Sequence, residues 1–233
     1  MISRHPYLTT SADETVIWKY MSLDKFLFLL INKQLYLSRV DQFSDKAEVL
    51  VTQKEVDYWN KSFHLDIKTT CETYRTTIYA NCWIKSQNEV STMWSSYASD
   101  KDGIAIRSTV KRLIDSYSGD LSVVIVDVNY IDHHLETVLP SNEPPNGIRF
   151  YTTKRLSYKA ENEIRLIYDV GAANQNNNNT YHLLPIDINQ LIEEIHIAPQ
   201  APASFIKDIK SLIKTYGCHA LVKGSELLYS RTD

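Results

Sequence analysis

The stretch YKAENEIRLIYDV, residues 158–170, holds the residue types in this chain that are best suited to chemistry. If it is extended, alternate side chains point to opposite faces, so Glu161, Glu163 and Arg165 share one face and apolar side chains occupy the other. Two carboxylates and a guanidinium on one surface are typical of a solvated strand face with ion pairs. They are also what a carboxylate site on a sheet requires, so the surrounding elements must decide.

Histidine and cysteine spacing indicates no metal site and no hydrolase site. His133 and His134 are adjacent in a polar loop, and the other histidines lack the spacing of metal ligands. The three cysteines, Cys71, Cys82 and Cys218, form no CxxC motif, which argues against a disulfide framework or a zinc knuckle. GxSxG, GxGxxG and GxxxxGK are absent from the sequence, so a nucleotide would have to be held without the common phosphate-binding loops.

Composition restricts the class of protein. The chain has 233 residues and a net charge of −3, which fits one domain and argues against coating nucleic acid by bulk charge. Any contact with nucleic acid would be local. The N-terminus lacks the apolar core of a signal peptide, and no apolar run reaches the roughly 20 residues of a membrane span. We therefore expect a soluble cytoplasmic protein that makes no membrane contact.

Hydrophobic periodicity predicts many short strands interrupted by helices. The predicted strands are 16–20, 34–38, 76–84, 103–108, 122–130, 158–170, 192–199 and 218–224, and the predicted helices are 22–33, 45–65, 91–99, 109–119 and 203–217. Residues 133–147 and the asparagine run at 174–179 are predicted loops. Without a regular βαβ alternation, this order favours an α+β fold with a mostly antiparallel sheet and flanking helices. We expect a polar arm over residues 1–14 and a single domain over 15–233.

Aromatic residues at the edges of predicted elements form a second group of candidates. Trp18, Tyr20, Trp94 and Tyr97 each lie in a short motif-like segment, where an aromatic ring packs in the core or stacks on a planar ligand. The core is the commoner place for tryptophan. Tyr97 follows Trp94 by one helical turn, so the two would share a face of a short helix.

Four segments, in this order and spacing, carry a family resemblance: WKYMSLDKFLFLLINKQLYLSRVDQFSDKAE, CWIKSQNEVSTMWSSYASDKDGIAI, KRLSYKAENEIRLI and IEEIHIAPQAPASFIKDIKSLIKTYG. They resemble the bacterial family of domains of unknown function numbered 2971, from about Trp18 to Lys223. The chain departs from that pattern at FSDKAE, where Ser44 and Lys46 replace an asparagine and a proline, although Asp45 and Glu48 are kept. The family itself resembles the ADP-ribosyltransferases, especially toxin-like bacterial enzymes that modify nucleic acid or protein in phage defence.

The resemblance implies a split sheet whose cleft holds NAD as a substrate without a Rossmann fold. It implies that Glu163 hydrogen-bonds the ribose 2′-hydroxyl and stabilises an oxocarbenium-like state, while Glu161 positions or deprotonates the incoming nucleophile. The other residues implied in NAD or acceptor binding are Lys19, Tyr20, Arg39 and Arg165 for the phosphates and adenosine, and Trp94 or Tyr97 for stacking. Arg165 would alternatively neutralise the glutamate pair.

The favoured hypothesis is thus an NAD-dependent ADP-ribosyltransferase acting as a toxin-like phage-defence effector. Its acceptor would be a macromolecule, with RNA or DNA favoured over protein, and an antitoxin or chaperone would be its partner. A second hypothesis is a non-catalytic antitoxin or scaffold in which the charged residues form a structural ion-pair set. A third is an RNA-binding or RNA-cleaving domain, which the balanced charge of ASDKDG near Trp94 disfavours.

Overall fold

The computed structural model describes residues 1–43, 51–132, 136, 138, 147–171 and 178–227. The strands are β1 (Ile2–Arg4), β2 (Val16–Met21), β3 (Gln34–Arg39), β4 (Ile78–Lys85), β5 (Ile104–Thr109), β6 (Val123–Asp127), β7 (Asn129–Ile131), β8 (Thr153–Arg155), β9 (Glu163–Asp169), β10 (Tyr181–Pro185), β11 (Glu194–Ile197) and β12 (Leu221–Gly224). The helices are α1 (Leu23–Asn32), α2 (Gln53–Phe63), α3 (Ile67–Arg75), α4 (Ser91–Tyr97), α5 (Val110–Asp115), α6 (Gly147–Phe150), α7 (Ile188–Leu191) and α8 (Ala203–Thr215), with 3₁₀ helices at Val40–Gln42 and Leu156–Glu161.

Ten of these strands form one mixed sheet, so the predicted α+β class is confirmed. Eight strands run in the order β1-β6-β9-β4-β2-β5-β11-β12, while β3 pairs with β4 and β10 with β3. The prediction of a mostly antiparallel sheet is corrected to a mixed one. At the edges, β1 pairs with β6 and β11 with β12 in parallel, and β7 and β8 form a separate parallel pair. The β11–β12 pair is parallel because α8 crosses between the two strands and returns the chain in the same direction.

The sheet forks at β4. Along one edge β4 pairs antiparallel with β9 from Ile78 to Ile84. On the opposite edge, β3 pairs with the beginning of β4, where Ser38 lies opposite Ala80, and β2 pairs with its end, where Trp18 lies opposite Ile84. Residues 81–83 lie between these two pairings, so β2 and β3 diverge from a common strand and a gap opens between them.

Two polar side chains form hydrogen bonds between the diverging strands and β4. Lys19 on β2 donates from Nζ to the Cys82 carbonyl on β4 at 2.9 Å, and Asn81 on β4 donates from Nδ2 to the Tyr36 carbonyl on β3 at 2.8 Å. Buried backbone carbonyls need donors, and where strand pairing stops a side chain must supply them. The fork is therefore a hydrogen-bonded part of the sheet.

Helices cover the two faces of the sheet unequally. The main core lies on one face, where α1, α5, α7 and α8 contribute buried residues such as Phe26, Leu113, Leu191 and Ile209. On the other face, α2, α3 and α6 cover one core and α4 covers another. Apolar stripes at helical spacing explain these contacts, as in α8, whose Ile209 and Ile213 are buried. The region between the two smaller cores, beside the fork, holds the candidate site.

Some predicted elements have different boundaries in the structure, and some predicted residues are not described by it. The strand predicted from residue 158 begins only at Glu163, because residues 156–161 form a 3₁₀ helix that Asn162 ends with φ of 42°. The predicted polar arm contains β1, and the division into an arm and one domain stays a prediction. Asp45, Glu48, His133, His134 and most of the asparagine run lie outside the described residues. Among the residues that are described, no helix is both long and apolar enough for a membrane span.

Candidate active site

A cavity of about 770 Å³ lies at the fork of the sheet. Its walls come from β2, β3, β4 and β9, with α1 and Tyr97 of α4 at the rim. Because side chains alternate along strands and Arg165 lies opposite Cys82, the residues Tyr36, Cys82, Glu163 and Arg165 face the same side of the sheet. The volume falls in the range of about 300–1,000 Å³ that small-molecule sites occupy.

Four charged side chains are joined by ion pairs on one wall of this cavity. Nζ of Lys154, on β8, lies 2.6 Å from Oε2 of Glu161 and 2.5 Å from Oε1 of Glu163. Nε of Arg165 lies 2.8 Å from Oε2 of Glu163. Lys154 and Glu163 are each 4% exposed and Arg165 is 1% exposed, so two buried cations balance the acidic pair.

Further hydrogen bonds fix the orientation of this set. The Glu163 backbone N–H donates to the Tyr130 hydroxyl at 2.9 Å, and Nη1 of Arg165 donates to the Tyr151 carbonyl at 2.8 Å. The Tyr97 hydroxyl donates to Oε1 of Glu161 at 3.0 Å. Side chains held from several elements keep a defined geometry, which a catalytic carboxylate requires.

The two carboxyl groups have opposite pKa shifts. Burial opposes ionisation of Glu163, but the Arg165 charge, a hydrogen bond with Glu161 and the Lys154 charge outweigh it and hold its pKa well below the usual range. Burial and the hydrogen bond with Glu163 raise the pKa of Glu161 to about 7 despite Lys154. Near neutral pH one carboxyl is therefore ionised and its neighbour exchanges a proton, which is the pattern of an acid–base site.

Lys19 and Tyr20, on β2, both line the cavity. Burial lowers the pKa of Lys19 to about 8, and its Nζ lies 5.6 Å from the centre of the Trp83 ring. Tyr20 is 6% exposed and its hydroxyl accepts from the Val90 N–H at 2.8 Å, while burial raises its pKa to about 12. Lys19 supplies a positive charge to the wall, and Tyr20 mainly anchors the start of α4.

The structure does not bring Trp94 and Arg39 to the cavity wall. Trp94 is fully buried, with the Tyr20 ring edge-on at 5.1 Å, so its indole is core and Tyr97, 46% exposed, is the ring that remains accessible. Arg39 pairs with Asp41 at 2.8 Å and donates to the Asn179 carbonyl at 3.2 Å. From β3 the cavity wall takes Gln34, Leu35, Tyr36 and Ser38, and Arg39 is not part of it.

Lys154 and Tyr36 are site residues that the sequence analysis missed. Lys154 precedes Glu161 by seven positions, and no local periodicity relates a residue of β8 to one at the end of a 3₁₀ turn. Its only signal is that it lies in the segment KRLSYKAENEIRLI, which supplies both glutamates and Arg165. Tyr36 lies in QLYLS, whose alternation distinguishes its face from that of Leu35 and Leu37 once the strand is known.

Comparison with known proteins adds only distant similarity. A scan against protein-family models finds no match, and a search of curated proteins also finds none. Among solved structures, the chain is similar to Thermus sp. 2.9 DarT in complex with NAD⁺, with a TM-score of 0.42, 9% identity, and coverage of 93% of this chain and 98% of that chain. For the DarT complex with ADP-ribosylated ssDNA, the TM-score is 0.42 and the identity 9%, with coverage of 92% of this chain and 96% of that chain. For the complex with carba-NAD⁺, the TM-score is 0.41 and the identity 10%, with coverage of 93% and 97%. Similarity at this level carries no argument about function.

Proposed function

We propose that this chain is an NAD-dependent ADP-ribosyltransferase that modifies a macromolecule, with nucleic acid favoured over protein, as a toxin-like effector in phage defence. The observation that carries the proposal is the glutamate pair, one ionised and one with a pKa of about 7, on the wall of a 770 Å³ cavity. The resemblance to the family numbered 2971, and through it to the ADP-ribosyltransferases, is part of the same proposal.

The reaction is a displacement at C1′ of the nicotinamide ribose. The bond from C1′ to the nicotinamide nitrogen breaks and nicotinamide leaves with its electron pair, while an oxygen or nitrogen of the acceptor bonds to C1′ and loses a proton. Glu163 is the group that remains ionised, so it can accept a hydrogen bond from the ribose 2′-hydroxyl and oppose positive charge at C1′. Glu163 is hydrogen-bonded to Lys154, Arg165 and Glu161, and a carboxylate has about four lone-pair positions, so one more donor can be accepted.

Glu161 is the group suited to take the acceptor's proton. Its pKa of about 7 matches the requirement for a general base near neutral pH. Its side chain is more exposed than that of Glu163, at 16% against 6%, so an incoming acceptor reaches it first. Glu163 thus acts on the ribose and Glu161 on the acceptor.

The rest of the cavity wall fits a dinucleotide. Lys19 and Lys25 provide positive charge for the pyrophosphate, and Lys19 with a pKa of about 8 is mostly protonated at pH 7. Phe28 and Tyr97 offer ring faces or edges to planar groups. Arg165 is committed to Glu163 and to the Tyr151 carbonyl, which favours the neutralising role over phosphate binding.

One observation favours the alternative of a non-catalytic antitoxin or scaffold. Both oxygens of Glu163 already accept bonds, from Lys154 and Arg165, as in a structural ion-pair set. Such a module would bind a partner protein and would not consume NAD. Toxicity on expression separates the two functions, since the enzyme would arrest growth and the module would be tolerated.

The direct test incubates the purified protein with NAD labelled in the adenylate part and with nucleic acid from a cell extract. We expect free nicotinamide and labelled nucleic acid from the wild type, and a loss of at least about 100-fold in Glu163→Gln. Glu72→Gln is the matched control, because its side chain is 69% exposed and does not line the cavity. Circular dichroism and thermal melting report whether each variant is folded.

Glu161→Gln keeps the test valid if Glu163→Gln does not fold. We expect it to reduce transfer to nucleic acid more than nicotinamide release, because Glu161 acts on the acceptor and not on the leaving group. If the folded wild type releases no nicotinamide and labels no macromolecule, the transferase proposal is wrong and the binding module is favoured.

A further inference from the structure

Two exposed tyrosines form a stacked pair beside the cavity. The rings of Tyr36 on β3 and Tyr181 on β10 have centroids 5.0 Å apart and planes 20° apart. They are 44% and 46% exposed. Since Tyr181 lies opposite Ser38 and Leu183 opposite Tyr36, the two rings are diagonal neighbours on one face of the sheet. We call this pair the tyrosine platform.

The tyrosine platform extends from the cavity outward. Tyr36 lines the cavity wall, whereas Tyr181 lies beyond it on β10, the strand that flanks β3. The face is the one that carries Glu163 and Arg165 across β4. Trp94 and Tyr20 form another ring pair on this face, but they are only 0% and 6% exposed, whereas both rings of the platform are accessible.

We propose that the tyrosine platform binds an unpaired nucleobase of the acceptor, and that the acceptor is therefore single-stranded nucleic acid. This inference rests on the proposed transferase function. Every base has a flat π face, and proteins that bind single strands hold successive bases on exposed aromatic rings. In a duplex the bases are stacked on each other and are not available to a ring on a protein surface. A base on Tyr36 places its neighbour in the strand at the cavity mouth.

The charge of the chain predicts how a single strand would bind. The chain has a net charge of −3, so it does not attract polyanions overall, and Lys25 on the wall of the same cavity supplies only local positive charge. Binding would then depend on stacking more than on phosphate neutralisation. We expect the affinity for oligonucleotides to fall only weakly as salt is raised.

The test measures oligonucleotide binding and catalysis separately. Short fluorescein-labelled single-stranded DNA and RNA are titrated with protein, and binding is read by fluorescence anisotropy in the absence of NAD. We expect Tyr36→Leu and Tyr181→Leu each to weaken binding by about tenfold, which is within the effect of losing one base–ring stack. Tyr181→Phe keeps the ring and is expected to keep most of the binding. Tyr7→Leu is the matched control, because Tyr7 is 67% exposed and lies outside the cavity wall.

With NAD present, the same variants are compared by the ratio of ADP-ribose transferred to nicotinamide released. We expect this ratio to fall in the leucine variants and to be restored in Tyr181→Phe. Folded leucine variants that bind and transfer like the wild type overturn the platform, as does duplex DNA binding as tightly as single strands. A folded wild type that releases no nicotinamide overturns the transferase function, whereas loss of strand binding in the leucine variants would still support the platform.

Discussion

Glu161 and Glu163 bind the same ammonium group, since Nζ of Lys154 lies 2.6 Å from an oxygen of one and 2.5 Å from an oxygen of the other. A shared cation couples the two carboxyl groups, so the proton of Glu161 is sensitive to what happens at Glu163. The asymmetry arises because Arg165 contacts Glu163 in addition. The pair therefore behaves as one titrating unit, with its ionised member fixed by the guanidinium.

Transfer activity is expected to decrease as pH is lowered through about 7, because the base form of Glu161 is lost below its pKa. The measurement is kcat/KM for transfer to nucleic acid across this range. Glu161→Gln is expected to lack this acid limb. An acid limb near 4.5, the ordinary value for a glutamate, would contradict the assignment.

The KM for NAD is expected to rise as pH is raised through about 8, because Lys19 then loses the charge that attracts the pyrophosphate. Lys19→Met should show a high KM at every pH, without this alkaline dependence. Lys111→Met is the control, since Lys111 is an exposed residue of α5 paired with Asp115. A wild-type KM that is flat across pH 8 would argue that Lys19 only supports the fork.

Lys154→Met is expected to lower the free energy of unfolding by about 3–5 kcal/mol, because it leaves the buried Glu163 and the partly buried Glu161 without their common cation. The loss, measured by urea denaturation, is expected to be larger at pH 8 than at pH 6. At the lower pH Glu161 is mainly neutral and repels Glu163 less. Lys154→Arg should recover part of the loss, and the exposed Lys111→Met should change stability far less. An equal loss at both pH values would contradict the coupling.

His196 is expected to contribute thermal stability that is lost as pH rises above 6.5, the ordinary histidine pKa. Its ring nitrogens lie 2.6 Å from Glu89 and 2.8 Å from Glu194, and the residue is 3% exposed. Burial opposes its charge, but the two carboxylates outweigh this and raise its pKa. A raised histidine pKa gives stability that is complete below 6.5 and is lost as pH passes the folded-state pKa.

The check is the melting temperature as a function of pH for His196→Gln, which should have a flatter profile. Glu161 also has a raised pKa and so contributes a slope of the same sign. The comparison is therefore made in a Glu161→Gln background. A His196→Gln profile as steep as its parent would show that the histidine is uncharged in the folded protein.

Period-two alternation was sufficient to place part of the site. It placed Glu163 and Arg165 on one face of a strand, and the structure joins them by an ion pair. It placed Glu161 on the same strand, but that residue ends a 3₁₀ helix and reaches Lys154, the cation it shares with Glu163, from a turn. The difference depends on Asn162, which tolerates the left-handed backbone region better than most residues and breaks the extended pattern.

Long-range contacts account for what the sequence did not reveal. Lys154 meets the glutamates only because β8 and the 3₁₀ turn fold back on β9, and Tyr36 reaches the wall only because β3 diverges from β4. Neither relationship has a fixed spacing along the chain. The burial of Trp94 follows the usual behaviour of tryptophan, whose large apolar ring stabilises a core more often than it meets a ligand.

The side chains that form hydrogen bonds at the fork also keep the cleft open when no ligand is bound. The hydrogen bonds of Lys19 and Asn81 to backbone carbonyls would have to break before β2 and β3 could pair with each other. The groove consequently exists before any small molecule arrives, and little backbone entropy is lost on docking. Ligand association would then be limited by diffusion into a groove that is already open. We expect single-exponential binding kinetics, with an observed rate constant that rises linearly with ligand concentration.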